Sequence, residues 1–268
     1  MALVSLAGLQ PDDGKAPMEV ADVNNQVNEL LNEFNGNIDN NNIKESGVAR
    51  TNLAAEIKLS LLDGWTPAAE SWTYASATTI TVPSGAASKY SVGDKIKLTQ
   101  TTAKYFYIVT VADTLLTVTG GADYTVANAA ITSPYYSKAS SPVGFPQWFN
   151  HNTGQTGITI GNGTLIRKFQ ISGRAVNETT KFVHGSTTSV TGDILWTLPV
   201  VPVTADDVAV GSVWATDVGV KYYIGAAFIT SGAGVTSAGN DVGGKWNVTT
   251  PFTWADGDKH THSVTYEI

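Results

Sequence analysis

The chain has 268 residues, enough for one large domain or two to three small ones, and only 15% of them are charged. Its 23 acidic residues against 16 basic ones give a net charge of −7, which argues against nucleic acid or an anionic membrane surface as a partner. The absence of cysteine excludes disulfides, thiolate metal sites and a cysteine nucleophile, and no apolar run is long enough for membrane insertion.

The N-terminal quarter of the chain divides into an arm and a helical region. Residues 1–19 are predicted to form an irregular arm, because Pro11, Gly14 and Pro17 interrupt any long helix. Within 20–63, apolar residues at alternating spacings of three and four form a heptad seam, typical of a short coiled coil of identical chains. The seam residues are Val20, Val23, Val27, Leu30 and Phe34. A second short helix is predicted over 52–62.

The junction between these helices is the asparagine-rich stretch "FNGNIDNNNI", residues 34–43. A continued heptad would place polar residues in the seam, so the helix is expected to stop near Gly36. One interpretation is a solvated linker. The other is a trimerisation device, in which Ile38 and Ile43 fill a threefold axis while the amides pair between chains.

Residues 64–136 are predicted to form a small β-barrel or β-sandwich. Short runs rich in β-branched and aromatic residues alternate with turn signals: "TTITV", "KIKLT", "KYFYIVTV" and "LLTVT". Residues 137–151 form a connector whose Phe145, Trp148 and Phe149 are expected to wedge against a neighbouring domain.

Residues 152–268 are predicted to form a C-terminal β-sandwich head of jelly-roll type. Asn162-Gly163 in "ITIGNGTLI" predicts one hairpin and Asp256-Gly257 another. The apolar run "VKYYIGAAFIT" predicts a central strand. The fold class expected for the whole chain is therefore mainly β, with a short α-helical, coiled-coil-like N-terminal segment.

In arrangement and in short motifs, the chain resembles bacteriophage virion proteins of the fibre type. The resemblance is carried by "LNEFNGNIDNNNIKESGVARTNL", "GWTPAAESWTYASATTITVPSGAASKYSVGDKIKLTQ", "KYFYIVTVADTLLTVTGG" and "YYSKASSPVGFPQWF". It implies a homotrimer located in the virion, attached through its N-terminal arm to capsid, collar or tail proteins and displaying its C-terminal head. Tail fibres, which adhere to a bacterial surface glycan or receptor, share these motifs with head fibres and capsid decorations, which reinforce the particle without receptor binding.

No pattern in the sequence indicates an enzyme. The chain lacks a nucleophile elbow, and a glycosidase needs two carboxylates facing each other across a cleft. The candidates Asp206, Asp207, Asp256 and Asp258 fall in turn-like segments, where aspartate is expected for backbone reasons. A depolymerase activity is therefore the least favoured of the three functional hypotheses.

The alternating pair His260 and His262 is the candidate metal site. On a strand both imidazoles would share the apolar face with Val264, Tyr266 and Ile268. At a trimer axis such a strand could present six imidazoles to one metal ion, and it looks like the iron-binding histidine pair of some phage spike tips. The alternative is that both rings simply pack at an interface or at the end of the strand.

Aromatic residues in the head provide the candidate ligand-binding residues, Tyr222, Tyr223 and Trp246. Exposed aromatic rings are surfaces on which sugars stack. The alternative is that these side chains belong to the core, where most aromatic residues of a sandwich lie. The glycine-rich segment 231–246 is the expected place for a glycan site, since loops at the end of a sandwich often carry function.

Overall fold

The computed structural model describes residues 24–25, 27–28, 63–151, 154–203, 209–230, 234–239 and 244–268. The predicted arm, the asparagine-rich junction with Ile38 and Ile43, and the second helix lie outside these residues, as do Val20, Val23, Leu30 and Phe34. Of the predicted seam only Val27 is described; its backbone is helical and its side chain is 44% exposed in the single chain. The chain divides into two compact units, Met1–Lys58 and Leu59–Ile268.

The second unit begins with a seven-stranded antiparallel sheet. Its strands are β1 (Thr66–Pro67), β2 (Thr73–Ser76), β3 (Thr79–Thr81), β4 (Lys95–Gln100), β5 (Thr102–Ala112), β6 (Leu115–Thr119) and β7 (Thr132–Ser137), in the order β1-β7-β4-β5-β6-β3-β2. A four-residue helix, Ala86–Lys89, lies between β3 and β4. The four predicted β runs correspond to β3, β4, β5 and β6. Their alternate apolar residues build the core of this sheet, including the fully buried Ile80, Ile96 and Leu116.

A nine-stranded antiparallel sheet follows. Its strands are β8 (Phe149–Asn150), β9 (Gln155–Thr159), β10 (Thr164–Ser172), β11 (Ala175–Val183), β12 (Ser189–Thr197), β13 (Ala209–Asp217), β14 (Lys221–Thr230), β15 (Gly234–Gly239) and β16 (Lys259–Glu267). The strand order is β8-β10-β11-β16-β13-β14-β15-β12-β9. The prediction of a mainly β chain is confirmed, and "VKYYIGAAFIT" is a strand with a partner on each side, β13 and β15.

This sheet folds back on itself. Three strands separate β12 from β16 in the sheet, yet the ring of Trp196 on β12 lies 5.6 Å from that of His260 on β16. The two halves therefore face each other as the layers of a β-sandwich, with alternate side chains of every strand directed into the space between them.

Both predicted hairpins are wrong, although the turns themselves are present. Strand β9 pairs with β12 and strand β10 pairs with β8 and β11, so the turn between β9 and β10 connects one edge strand with the second strand from the opposite edge. Gly257 has a φ of +86°, as a tight turn requires, but residues 250–255 before it form no strand. Strand β16 pairs with β11 and β13, partners that are remote in sequence.

One hydrophobic cluster contains residues of both sheets. Phe149 lies between them, with its ring 5.3 Å from that of Tyr107 on β5 and 5.9 Å from that of Phe169 on β10. Phe145 is also buried, which confirms two of the three predicted wedge residues, whereas Trp148 is 38% exposed. The segment predicted as a connector is thus part of the packing between the sheets.

Candidate functional site

One face of the nine-stranded sheet is open to solvent and carries large apolar side chains. It is formed by five neighbouring strands, β10, β11, β16, β13 and β14. Residues at alternate positions point into the core, and those between them form rows across the outside, three of which extend over all five strands. The rows are Thr164, Val183, Lys259, Thr216 and Tyr222; Ile166, Lys181, Thr261, Trp214 and Ile224; and Lys168, Thr179, Ser263, Ser212 and Ala226. We call these three rows the aromatic face.

The side of the aromatic face formed by β13 and β14 carries an exposed aromatic pair. Trp214 is 46% exposed and Tyr222 is 64% exposed, with their ring centroids 5.6 Å apart in an edge-to-face arrangement. Ile224, paired with Trp214 across the strands, is 59% exposed. Large apolar side chains that are exposed together on one sheet face indicate a binding surface.

The aromatic face also contains a groove of about 530 Å³. Its lining combines apolar side chains with hydroxyl groups and one ammonium group: Ile166, Trp214, Ile224, Thr261, Ser263 and Lys181. The Thr261 hydroxyl donates to the backbone carbonyl of Trp214 at 3.2 Å, which ties β16 to β13 under the groove. Aromatic surface bordered by hydroxyl groups suits a ligand that has both C–H faces and polar substituents.

The structure separates the three residues that the sequence suggested as a ligand site. Tyr222 is on the aromatic face, but its neighbour Tyr223 points the opposite way because side chains alternate along β14, and its ring lies 5.0 Å from that of Phe252. Trp246 is fully buried and packs in the core with Trp254. The alternative that aromatic residues of the head are core residues is thus correct for Trp246.

Trp214 is the site residue that the sequence did not single out. It lies between Val213 and Ala215, which are both buried, so strand alternation alone places it outside. The predicted glycan loop 231–246 does not have the expected form, since residues 234–239 are strand β15, paired on both sides by β14 and β12. The candidate site described above is on the flat of the sheet, while residues 231–233 and 240–243 of the predicted loop lie outside the described residues.

The histidine pair is in the interior of the sandwich. His260 and His262 share the inner face of β16 with Val264 and Tyr266, as the alternation predicted, and both rings are buried against Trp196. This location differs from the predicted one at a shared threefold axis, because the apolar face of β16 packs against β12 of the same chain. Within the described ranges, no three or more His, Cys, Asp or Glu side chains are grouped to hold a metal ion.

Burial changes the acid–base behaviour of these rings. It lowers the pKa of His260 to about 3, and it lowers the pKa of His184, whose ring stacks on Trp254 at 4.7 Å, to about 4. Burial, helped by the nearby His260 and Arg167, holds the pKa of His262 well below its ordinary value. All three rings are consequently neutral at physiological pH.

A buried ion pair lies beside the histidines. Arg167 on β10 donates to the Glu178 carboxylate on β11 at 2.5 Å, and its guanidinium also donates to the Thr180 hydroxyl at 3.1 Å and the Thr197 carbonyl at 2.6 Å. Burial raises the pKa of Glu178, an effect that the guanidinium opposes. Both charged side chains have no exposed area, so the pair fixes the packing of the sandwich and is closed to a substrate.

Of the aspartates weighed as catalytic candidates, Asp258 has a structural role. Its carboxylate accepts hydrogen bonds from the backbone N–H groups of Ala255 and Val218, which holds the turn before β16. Asp206 and Asp207 lie outside the described residues. No helix in the described part of the chain has the length and apolar character that crossing a membrane requires.

Comparisons of this chain with known protein families, with curated proteins and with solved structures find no match.

Proposed function

We propose that this protein is a non-enzymatic structural protein of a phage virion, of the fibre type, that binds a bacterial surface glycan through the aromatic face. The observation that supports glycan binding is the exposed Trp214–Tyr222 pair on the open face of the nine-stranded sheet. An exposed indole and phenol within 5.6 Å of each other offer a platform on which a sugar ring stacks.

The surroundings of the pair support this assignment. Thr261, Ser263 and Ser212 place hydroxyl groups within one row of Trp214, where they exchange hydrogen bonds with sugar hydroxyls. Each aromatic contact contributes about 0.5–1.5 kcal/mol to the interaction free energy, in addition to the contribution of the apolar area that it buries. Several such weak contacts suit a fibre, since a trimer presents three copies of the site and binds with avidity.

The proposed assembly follows the resemblance to fibre proteins. The arm 1–19 attaches to capsid, collar or tail, and the heptad segment forms a trimeric coiled coil closed by the asparagine-rich junction. The seven-stranded domain and the jelly-roll-like head are then carried outward. Side chains alternate regularly between the two faces of β10, β11, β16, β13 and β14, and one of these faces is open to solvent. An open face of this kind is compatible with display of the head.

The test is binding of the purified protein to an array of bacterial surface polysaccharides. Trp214→Ala and Tyr222→Ala are expected to weaken binding about tenfold each, while Trp148→Ala, which removes an exposed indole elsewhere, leaves it unchanged. Wild-type protein is also expected to block adsorption of the phage that encodes it, and antibody against the head should label the outside of intact particles.

Two outcomes would contradict the proposal in part. Tight binding to isolated capsids that is lost on deleting residues 1–19, with no polysaccharide bound, would identify a capsid decoration or head-fibre protein. Release of reducing sugar from envelope polysaccharide would identify a depolymerase.

A further inference from the structure

The aromatic face carries a charge opposite to that of the whole chain. Lys168, Lys181 and Lys259 occupy one position in each of its three rows, and none of the three rows contains Asp or Glu. The chain as a whole has a net charge of −7. A face with three ammonium groups and no carboxylate is therefore a local positive field on an acidic protein.

The three ammonium groups are free for a ligand. All three lysines are exposed, and none forms an ion pair with a carboxylate in the described part of the chain. Elsewhere on the same sheet a basic residue is neutralised, since Arg174 donates to the Glu267 carboxylate at 3.1 Å.

The lysines are placed to act together with the aromatic pair. Lys181 and Trp214 are on the same row and both pair with Thr261, which puts them two strand spacings, about 10 Å, apart. Lys259 pairs with Thr216, which in turn pairs with Tyr222. A lysine side chain is long and flexible enough to reach a ligand that rests on either ring.

We infer that the ligand of the aromatic face is an acidic polysaccharide, one that carries carboxylate or phosphate groups on its sugars. This inference rests on the proposed glycan-binding function and adds the ligand class. The sugar rings stack on Trp214 and Tyr222, while Lys181 and Lys259 bind the anionic substituents. A neutral glycan would leave the ammonium groups without a role. For an acidic ligand, charge complementarity with this face contributes to the orientation of the ligand as well as to its affinity.

The test uses purified bacterial polysaccharides in three groups: neutral, uronic-acid-bearing and phosphodiester-bearing. Binding is expected only in the acidic groups, and the group that binds identifies carboxylate or phosphate as the anion. The affinity should fall about tenfold between 50 and 300 mM NaCl, because salt screens exposed charge pairs. The double variant Lys181→Gln/Lys259→Gln should lose about tenfold at low salt and most of the salt dependence.

Lys138→Gln is the matched control for either single substitution, Lys181→Gln or Lys259→Gln, since it removes an exposed lysine just beyond the end of β7, in the other sheet, with the same change in net charge. It should leave binding unchanged. Binding of neutral polysaccharide that is lost with Trp214→Ala but kept in the lysine variants overturns the acidic ligand and leaves glycan binding standing. Absence of any polysaccharide binding, with self-association that Trp214→Ala abolishes, overturns both and makes the face an interface between copies.

Discussion

Acidification from pH 7 to pH 5 is expected to destabilise the head because three histidines are buried as neutral rings. His184, His260 and His262 are each at most 4% exposed, and the pKa of His184 is lowered to about 4 and that of His260 to about 3. In the unfolded chain their pKa is near 6.5. Below that pH the unfolded state binds more protons than the folded state, so stability falls as the pH is lowered from about 6.5 towards 4.

The size of the effect follows from these values. A histidine that is neutral in the folded state and has a pKa of 6.5 when unfolded contributes about 2 kcal/mol less stability at pH 5 than at pH 7. Three such residues amount to about 6 kcal/mol, which is comparable to the whole stability of many domains. Glu178, whose pKa burial raises, acts in the opposite direction.

Urea unfolding at pH 7, 6 and 5 measures the loss. Tryptophan fluorescence is a suitable probe because Trp196 and Trp246 lie 5.6 and 5.4 Å from the ring of His260. The variant His262→Leu should lose about 2 kcal/mol less than wild type between pH 7 and pH 5, while Glu178 is unchanged in both proteins. An equal loss in the two proteins would refute the reasoning.

Two further predictions concern stability. Gly93→Ala should lower the free energy of unfolding by about 2–4 kcal/mol, because a Cβ there would lie 1.8 Å from the Gly173 carbonyl oxygen. Gly219→Ala, with a similar positive φ of +84° but no atom within 4 Å, should lose only about 1 kcal/mol; equal losses in urea unfolding would contradict the predicted clash. Glu178→Gln should lower stability by about 3–5 kcal/mol since it leaves a buried guanidinium unneutralised. The double variant Arg167→Met/Glu178→Leu should recover most of that loss in the same assay, and a double variant as unstable as the single one would contradict this account.

Local pattern predicted much of the architecture. Runs of β-branched residues located β3 to β6, and alternation placed His260 and His262 on the apolar face of β16. Strand pairing could not be predicted in the same way, because it is decided by contacts remote in sequence. Val183 pairs with Lys259, for example, and no local signal in either segment indicates the other.

The candidate site was predicted only in part for the same reason. Alternation separates Tyr222 from Tyr223, but which of them is exposed depends on the side from which the second layer covers β14. Trp214 becomes significant only because β13 lies between β14 and β16. This pairing places its ring in the same row as Thr261 and Lys181. The buried pair Arg167 and Glu178 carries no sequence signal, since both residue types are usually exposed.

The packing of Phe149 between the sheets has a mechanical consequence. A force applied to the aromatic face would load the nine-stranded sheet, and the ring contacts of Phe149 to Tyr107 and Phe169 would pass that load directly to β5. Between the two sheets the chain therefore transmits tension through a broad aromatic joint and not through a single extended strand. Two sheets joined in this way resist bending at the joint, and stretching has to break the shared core before residues 138–148 can extend.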